Sequence, residues 1–380
     1  MTTDAVSPIV SDSQDSASRR LVSVDALRGF DMFWIVGAAG IVRAIQSLGK
    51  NPVSDFFVAQ LKHKEWDGFA FEDLIFPLFV FIMGISIVFS LGKILEKEGK
   101  SGVYRRVFRR FVLMYLLGVF YYGGAANHWP DIRLVGVLPR LALCYLFASL
   151  LFCNFRTKGL IIVCVSILAA YWALLSFVPV PGIGSTTFAA NDNWACYIDK
   201  ILLPGKRING NGTWDPEGLL STFPAVVSCL LGVFAGLFLK DKNRSDNTKV
   251  LSLFAVGAAG VALGFLWGMQ FPVIKKIWTS SYVLVAGGYS CIMLAAFYLV
   301  VDVWKRRAWA TPFLWIGSNA LTIYLAVNLV KFDEIAKRFV GGNIHDSLGS
   351  FGDLAVTLVT LGLVLTLARF LYNKKIFIRV

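Results

Sequence analysis

Charge is scarce in this 380-residue chain: only 16% of its residues are Asp, Glu, Lys or Arg, against about 25% in an ordinary soluble domain. Histidine occurs three times, at His63, His128 and His345. The six cysteines (Cys144, Cys153, Cys164, Cys196, Cys229 and Cys291) have the spacing of neither a disulfide framework nor a zinc site. All but Cys196 fall in or beside apolar runs, where a thiol packs as a small hydrophobe. A Walker loop is missing, as is a GxGxxG motif ahead of a helix, which removes the commonest nucleotide-binding devices. A Gly-x-Ser at Gly84 to Ser86 lacks the strand–turn–helix setting of a hydrolase nucleophile. The first twenty residues, MTTDAVSPIVSDSQDSASRR, contain no apolar core of a signal peptide and read as a disordered cytoplasmic tail.

Apolar sequence is what the chain has in abundance. Hydrophobic residues make up 56% of it, and the mean hydropathy is +0.65. Ten runs approach the ~20 residues that cross a hydrocarbon core, at about 29–47, 70–91, 107–122, 134–152, 159–178, 219–239, 250–269, 280–300, 310–330 and 352–372. The expected fold class is therefore all-α, a polytopic transmembrane helical bundle of ten or eleven spans in one domain, 21–380, after the tail 1–20. The longest connection, about 179–218, is rich in Gly, Asn, Pro and Trp and reads as a small extramembrane cap. The net charge of +13 lies mostly in short connections between spans. With the N-terminus in the cytoplasm, the cytoplasmic segments carry the larger share of Lys and Arg, as the positive-inside rule requires. That placement accounts for the basic excess without nucleic acid, and puts all three histidines outside.

Ionisable groups at membrane depth are costly and usually face a cavity or a partner. Asp31 lies one turn inside the first span, and Glu72 and Asp73 stand at the mouth of the second. Arg133 and Arg140 are seven residues apart and share a helix face. Asp215 and Glu217 precede the sixth span, Lys275 and Lys276 the eighth, and Asn319 and Asn328 lie in the ninth. Several of these gather at one membrane boundary. Snorkelling and surface pairing account for any one of them more readily than for the set. His63, in HKEWDGFAFEDLIFPLFVFIMG, is the natural proton acceptor, since a histidine ordinarily titrates near ~6.5. Asp67 or Asp73 would orient its ring. Trp66 fits an interfacial belt or, beside the histidine, a substrate contact.

The stretches SVDALRGFDMF, HKEWDGFAFEDLIFPLFVFIMGISI, RLVGVLPRLALCY, WDPEGLLSTFPAVVSCLLGVFAG, KKIWTSSYVLVAGG and IGSNALTIY together resemble the heparan-alpha-glucosaminide N-acetyltransferase family. The specific part is H-x-x-W-[N/D]-G-x(4)-D-x-x-F-P combined with D-P-E-G. The resemblance implies a multi-pass membrane acetyltransferase, in bacteria of the inner membrane. It would take acetyl-CoA as co-substrate on the cytosolic side and deliver the acetyl group to a glucosamine-type amine, free or on a glycan, on the other side. It implies His63 as the catalytic histidine, with Asp67 and Asp73 beside it. Arg28, Arg105 and Arg109 would hold the anionic nucleotide. Arg140, Lys276 and Asn319 would line the donor channel or polarise the thioester, and Trp66, Asp215 and Glu217 would meet the acceptor. Direct transfer and an acetyl-histidine intermediate both remain open. Ala39 stands where animal members carry asparagine, and Asp67 replaces the usual asparagine of W-N-G. At these two positions the resemblance leaves room for an acceptor or a detail of proton transfer different from those of the animal members. Neither a metal nor nucleic acid is expected. The partners are the sugar acceptor and the bilayer, with a homodimer compatible with the sequence.

Two rivals stand beside this reading. An O-acetyltransferase of a surface polysaccharide would use the same donor. An amino-sugar permease would carry N-acetylglucosamine without chemistry, but should show inverted repeats, and needs neither an outward histidine nor an anion site at the opposite face.

Overall fold

The computed structural model describes residues 21–377. The tail reading for 1–20 lies outside the described residues. Those residues form helices and short turns, with two isolated β-bridges, so the all-α reading stands. The helices in chain order are α1 (Val22–Ser47), α2 (Pro52–Gln60), α3 (Phe71–Tyr121), α4 (Val137–Asn154), α5 (Thr157–Phe177), α6 (Trp194–Leu202), α7 (Thr222–Lys240), α8 (Asp246–Gly268), α9 (Ser280–Phe297), α10 (Thr311–Ser318), α11 (Ala320–Val330), α12 (Phe332–Val340), α13 (Asn343–Ser347) and α14 (Gly352–Asn373).

Among the described residues, seven helices are long and apolar enough to cross a membrane, or eight if the bent pair α10–α11 is one span. The protein is a multi-pass membrane protein. Two physical causes separate this count from the expected ten. First, α3 joins the two runs read at 70–91 and 107–122 into one element of 51 residues, which if straight would reach about 77 Å. It is not straight: Gly99 (φ 68°, ψ −169°) leaves the helical region and breaks it near the middle, a conformation glycine adopts without a Cβ penalty. Second, α1 carries Asp25, Arg28, Asp31 and Arg43 and falls outside the apolar set.

The bundle is knitted by small residues, as expected where lipid is no less apolar than the partner helix. On α3 a Cβ at Gly84 would overlap the Cys229 carbonyl oxygen of α7, and on α7 a Cβ at Gly232 would overlap the Phe81 carbonyl oxygen of α3. The same reciprocity joins α1 to α10 through Gly29 and Gly317. These contacts fix how α3 approaches α7 and how α1 approaches α10, and therefore where their polar residues lie.

The cap read at 179–218 contains α6 and the bridge Asn209–Trp214. It packs through Ala195, Phe188 and Trp194 onto a buried apolar cluster built from Tyr171, Leu175, Phe271, Ile274 and Ile277.

Candidate active site

The segment 61–70 between α2 and α3 is pinned from two sides. Gly68 N–H donates to the Val273 carbonyl at 3.0 Å, and Asp67 pairs with Ile274 as an antiparallel bridge. Trp66 Nε1 donates to the Phe188 carbonyl at 2.7 Å, and its ring meets Trp214 edge-on at 5.8 Å. The loop is thus clamped between the 269–279 connection and the cap.

At the start of α3, Asp73 occupies the third helical position. One carboxylate oxygen accepts from Ala70 N–H at 3.1 Å and Lys64 N–H at 3.2 Å, satisfying backbone donors that a helix start leaves without partners. The other oxygen lies 3.0 Å from His63 Nδ1 and 3.5 Å from Lys275 Nζ. Tyr282, in the first turn of α9, donates its hydroxyl to the Asp73 carbonyl at 2.8 Å. Acidic groups at a helix N-terminus also meet its positive end, which explains why Glu72 and Asp73 stand where the apolar run begins.

His63 is exposed over about half of its side chain, whereas Asp73 is 1% exposed. An ionised carboxylate only accepts, so its contact with Nδ1 places a proton there and leaves the lone pair on Nε2. Lys275 Nζ lies 3.1 Å from the same Nδ1 and 3.4 Å from the Glu72 carbonyl. Burial lowers the Lys275 ammonium from its ordinary value against the pull of Asp73 and Glu72. The result is a basic imidazole nitrogen presented at the rim of the bundle, with its opposite nitrogen fixed by a buried anion.

A second cluster lies at the N-terminal ends of α4 and α7. Arg133 makes a two-pronged contact with Asp215 at 2.8 and 2.7 Å, reaches Glu217 at 2.7 Å, and stacks on Tyr122 at 4.4 Å. Burial disfavours its charge, but the hydrogen bonds and charge of Asp215, joined by Glu217, outweigh that and raise it. Burial raises the Glu217 carboxyl. Arg140, 1% exposed, donates to the Gly218 carbonyl at 3.1 Å and to Ser221 Oγ, and lies over the Trp278 ring at 5.1 Å. Asp199 of α6 accepts from Leu219 N–H at 2.9 Å and Asp215 N–H at 3.2 Å, and burial pushes its carboxyl up to about 6.

The predicted residues therefore divide. His63 and Asp73 come together. Asp67 is exposed and contributes through its backbone, so Asp73 is the residue that orients the ring. In the lysine pair it is Lys275 that reaches the histidine. Asp215 and Glu217 are held by Arg133, and Trp66 is tied to the cap. Arg28 binds Asp25 at 3.1 Å and Ser86 at 2.7 Å. Ser86 lies thirteen residues along α3 from Asp73, about 20 Å by helical rise, so Arg28 is remote from the histidine. Arg105 and Arg109 are exposed beyond the Gly99 break. Asn319 sits buried at the 72° bend between α10 and α11. Sequence reasoning noted Lys275, Asp31 and Arg133 without assigning them roles, and missed Asp199 and Tyr282.

A family model described as a domain of unknown function (DUF5009) matches residues 20–198. Over almost its whole length the chain also aligns with two curated proteins. The heparan-alpha-glucosaminide N-acetyltransferase of Mus musculus is 26% identical, covering 96% of this chain and 61% of the relative. That of Homo sapiens is 27% identical, covering 97% and 62%. The chain spans about three fifths of the length of these relatives. The resemblance read from the motifs therefore extends along almost the whole chain, which is similar to the heparan-alpha-glucosaminide N-acetyltransferases.

Proposed function

We propose that this protein is a membrane acetyltransferase that moves the acetyl group of acetyl-CoA to the amine of a glucosamine-type sugar, with His63 as the general base. The observation that carries the reading is the exposed imidazole whose Nδ1 lies 3.0 Å from the buried Asp73. That arrangement presents a basic Nε2 to an incoming amine. The amine nitrogen attacks the thioester carbonyl, Nε2 takes the proton, the C–S bond breaks, and the proton passes on to the departing thiolate. Asp73 holds the ring, and Lys275 balances the charge around it.

Several features support the donor side. Arg28 lies about 20 Å along α3 from the histidine, and the exposed Arg105 and Arg109 follow the Gly99 break. They would hold the phosphates of a nucleotide at that end of the bundle, leaving its acyl arm to run between helices. Among groups near the histidine, the buried Arg140 has Nε and Nη1 without a protein partner and would polarise the thioester oxygen.

The test uses purified full-length protein with labelled acetyl-CoA and glucosamine. Labelled N-acetylglucosamine and free CoA should appear, and His63→Ala should slow the formation of both by roughly 10²–10⁴. Product unaffected by His63→Ala would remove His63 from the chemistry. Counterflow of N-acetylglucosamine in liposomes without any CoA, in place of acetyl transfer, would establish the permease instead.

A further inference from the structure

One polar group in the apolar interior takes no part in the arrangement above. Asp31 on α1 is fully buried, and neither of its carboxylate oxygens has a hydrogen-bond partner in the protein. A buried carboxylate in that state is expensive, so it needs a reason. The charges that act on it are those of Glu72 and Lys275, which places it beside the histidine cluster. Two further buried polar atoms there are also without protein partners, Glu72 Oε2 and Trp34 Nε1. Trp34 follows Asp31 by three residues on α1, and its ring meets Phe71, the neighbour of Glu72, at 5.2 Å.

Counting charge around this cluster is instructive. Asp31, Glu72 and Asp73 supply three carboxylates, and Lys275 supplies one ammonium, already committed to Asp73 and the Glu72 carbonyl. The group is short of positive charge and of hydrogen-bond donors. Three carboxylate oxygens await donors, and one indole N–H awaits an acceptor. A shallow apolar cleft lined on α1 by Met32 and Ile35 and on α3 by Phe76 and Phe79 lies next to it. Ile35 lies one turn from Asp31 and Phe76 one turn from Glu72, on the same helix faces.

We propose that Asp31 and Glu72 form the ammonium subsite that admits the acceptor as a protonated primary amine, with Trp34 Nε1 donating to a hydroxyl of the same molecule. The subsite rests on the amino-sugar reading of the function and deepens it. A bound ammonium supplies the missing donors and charge. A sugar with a hydroxyl or an acetamide in place of the amine supplies no cation, so the subsite discriminates substrate from product. The ammonium first gives one proton to a subsite carboxylate, His63 Nε2 takes the second as the neutral amine attacks, and once acetylated the nitrogen no longer carries charge, so the subsite releases it.

The probes are glucosamine, glucose and N-acetylglucosamine, each titrated against purified full-length protein while its unfolding temperature is followed. Glucosamine should stabilise the wild type at concentrations at least tenfold lower than the other two. Asp31→Asn should raise the half-saturating glucosamine concentration tenfold or more, abolish the preference over glucose, and leave the acetyl-CoA response unchanged. Unliganded Asp31→Asn should unfold at no lower a temperature than the wild type, because Asp31 makes no hydrogen bond to the protein; a purely structural aspartate would be destabilised by the change. Glu72→Gln gives the same ligand readout should Asp31→Asn fail to fold. Equal binding of glucosamine and glucose by the wild type, or unchanged glucosamine binding in the variants, overturns the subsite. Acetyl transfer to glucosamine with an unchanged KM in Asp31→Asn overturns the subsite and leaves the enzymatic reading intact. Asp31-dependent glucosamine binding without any acetyl transfer does the reverse.

Discussion

Replacing Asp73 by asparagine tests the geometry of the site most directly. The side chain faces four donors: His63 Nδ1 at 3.0 Å, Lys275 Nζ at 3.5 Å, Lys64 N–H at 3.2 Å and Ala70 N–H at 3.1 Å. A carboxylate accepts from all of them. An amide offers one accepting oxygen and turns an NH2 toward the rest. If the oxygen stays on the two backbone donors, the NH2 meets Nδ1, which must then accept; the proton moves to Nε2 and the base is lost. If the amide turns over, the start of α3 loses its cap. The first arrangement costs one buried contact, about 1–3 kcal/mol, and the protein should remain folded. Loss of general-base catalysis is worth roughly 10²–10⁴ in rate, or about 3–5 kcal/mol on the barrier. Asp73→Asn should therefore lower kcat for acetyl transfer by that factor, with KM for acetyl-CoA unchanged. The double variant with His63→Ala should be no slower than His63→Ala alone, because residues that act as one unit are not additive. A folded Asp73→Asn protein with kcat within threefold of wild type would refute the reasoning. So would a double variant slower than His63→Ala by the full single-variant factor.

Three other outcomes follow from the same contacts. Arg133→Met leaves Asp215 and Glu217 buried without their counter-ion and should cost about 3–5 kcal/mol, read as a large fall in unfolding temperature in detergent. Asp199, pushed up to about 6 when folded from its ordinary 3.8, binds a proton more readily folded than unfolded. Its contribution, up to about 3 kcal/mol, is fully present below pH 3.8 and is lost as pH rises through about 6; Asp199→Asn should remove that part of the slope of unfolding temperature between pH 4 and 6, and parallel profiles would rule it out. Gly84→Val drives a side chain into the Cys229 carbonyl and should give no monodisperse protein on size exclusion, whereas Gly362→Ala on α14, with nothing within 4 Å of the new Cβ, should be neutral or slightly stabilising.

How much of this could be read from the residues depends on the range of the forces involved. The pairing of His63 with Asp73 was legible because it is local: a loop ends, an apolar run begins, and a carboxylate at the third position of the new helix reaches back over the loop that precedes it. The choice between Lys275 and Lys276 was not legible, because adjacent loop residues share composition and neighbourhood. The bridge between Asp67 and Ile274 decides which one faces the ring, and that pairing spans more than two hundred residues. Asp199 carried no signal, since a carboxylate in a polar loop looks solvated until the cap folds over it. The span count differs from the expected ten where the runs on either side of Gly99 stay joined in one broken element, and where one helix carries its charges inside.

The deeper part hidden from the sequence is convergence. Contacts among Arg140, Gly218, Ser221, Trp278, Tyr282 and Asp73 show that α3, α4, α7 and α9 all begin at one end of the bundle. Each helix start presents backbone N–H groups and partial positive charge. Four of them at one place make a field that holds Asp73, Asp215 and Glu217 there, and would favour negative charge developing on an acyl oxygen during transfer. Each start is separately visible as a polar residue ahead of an apolar run, at Asp73, Arg133, Ser221 and Thr279. Their meeting follows from helix packing through Gly84 and Gly232, and it is this packing, more than any one side chain, that makes an imidazole at this rim chemically useful.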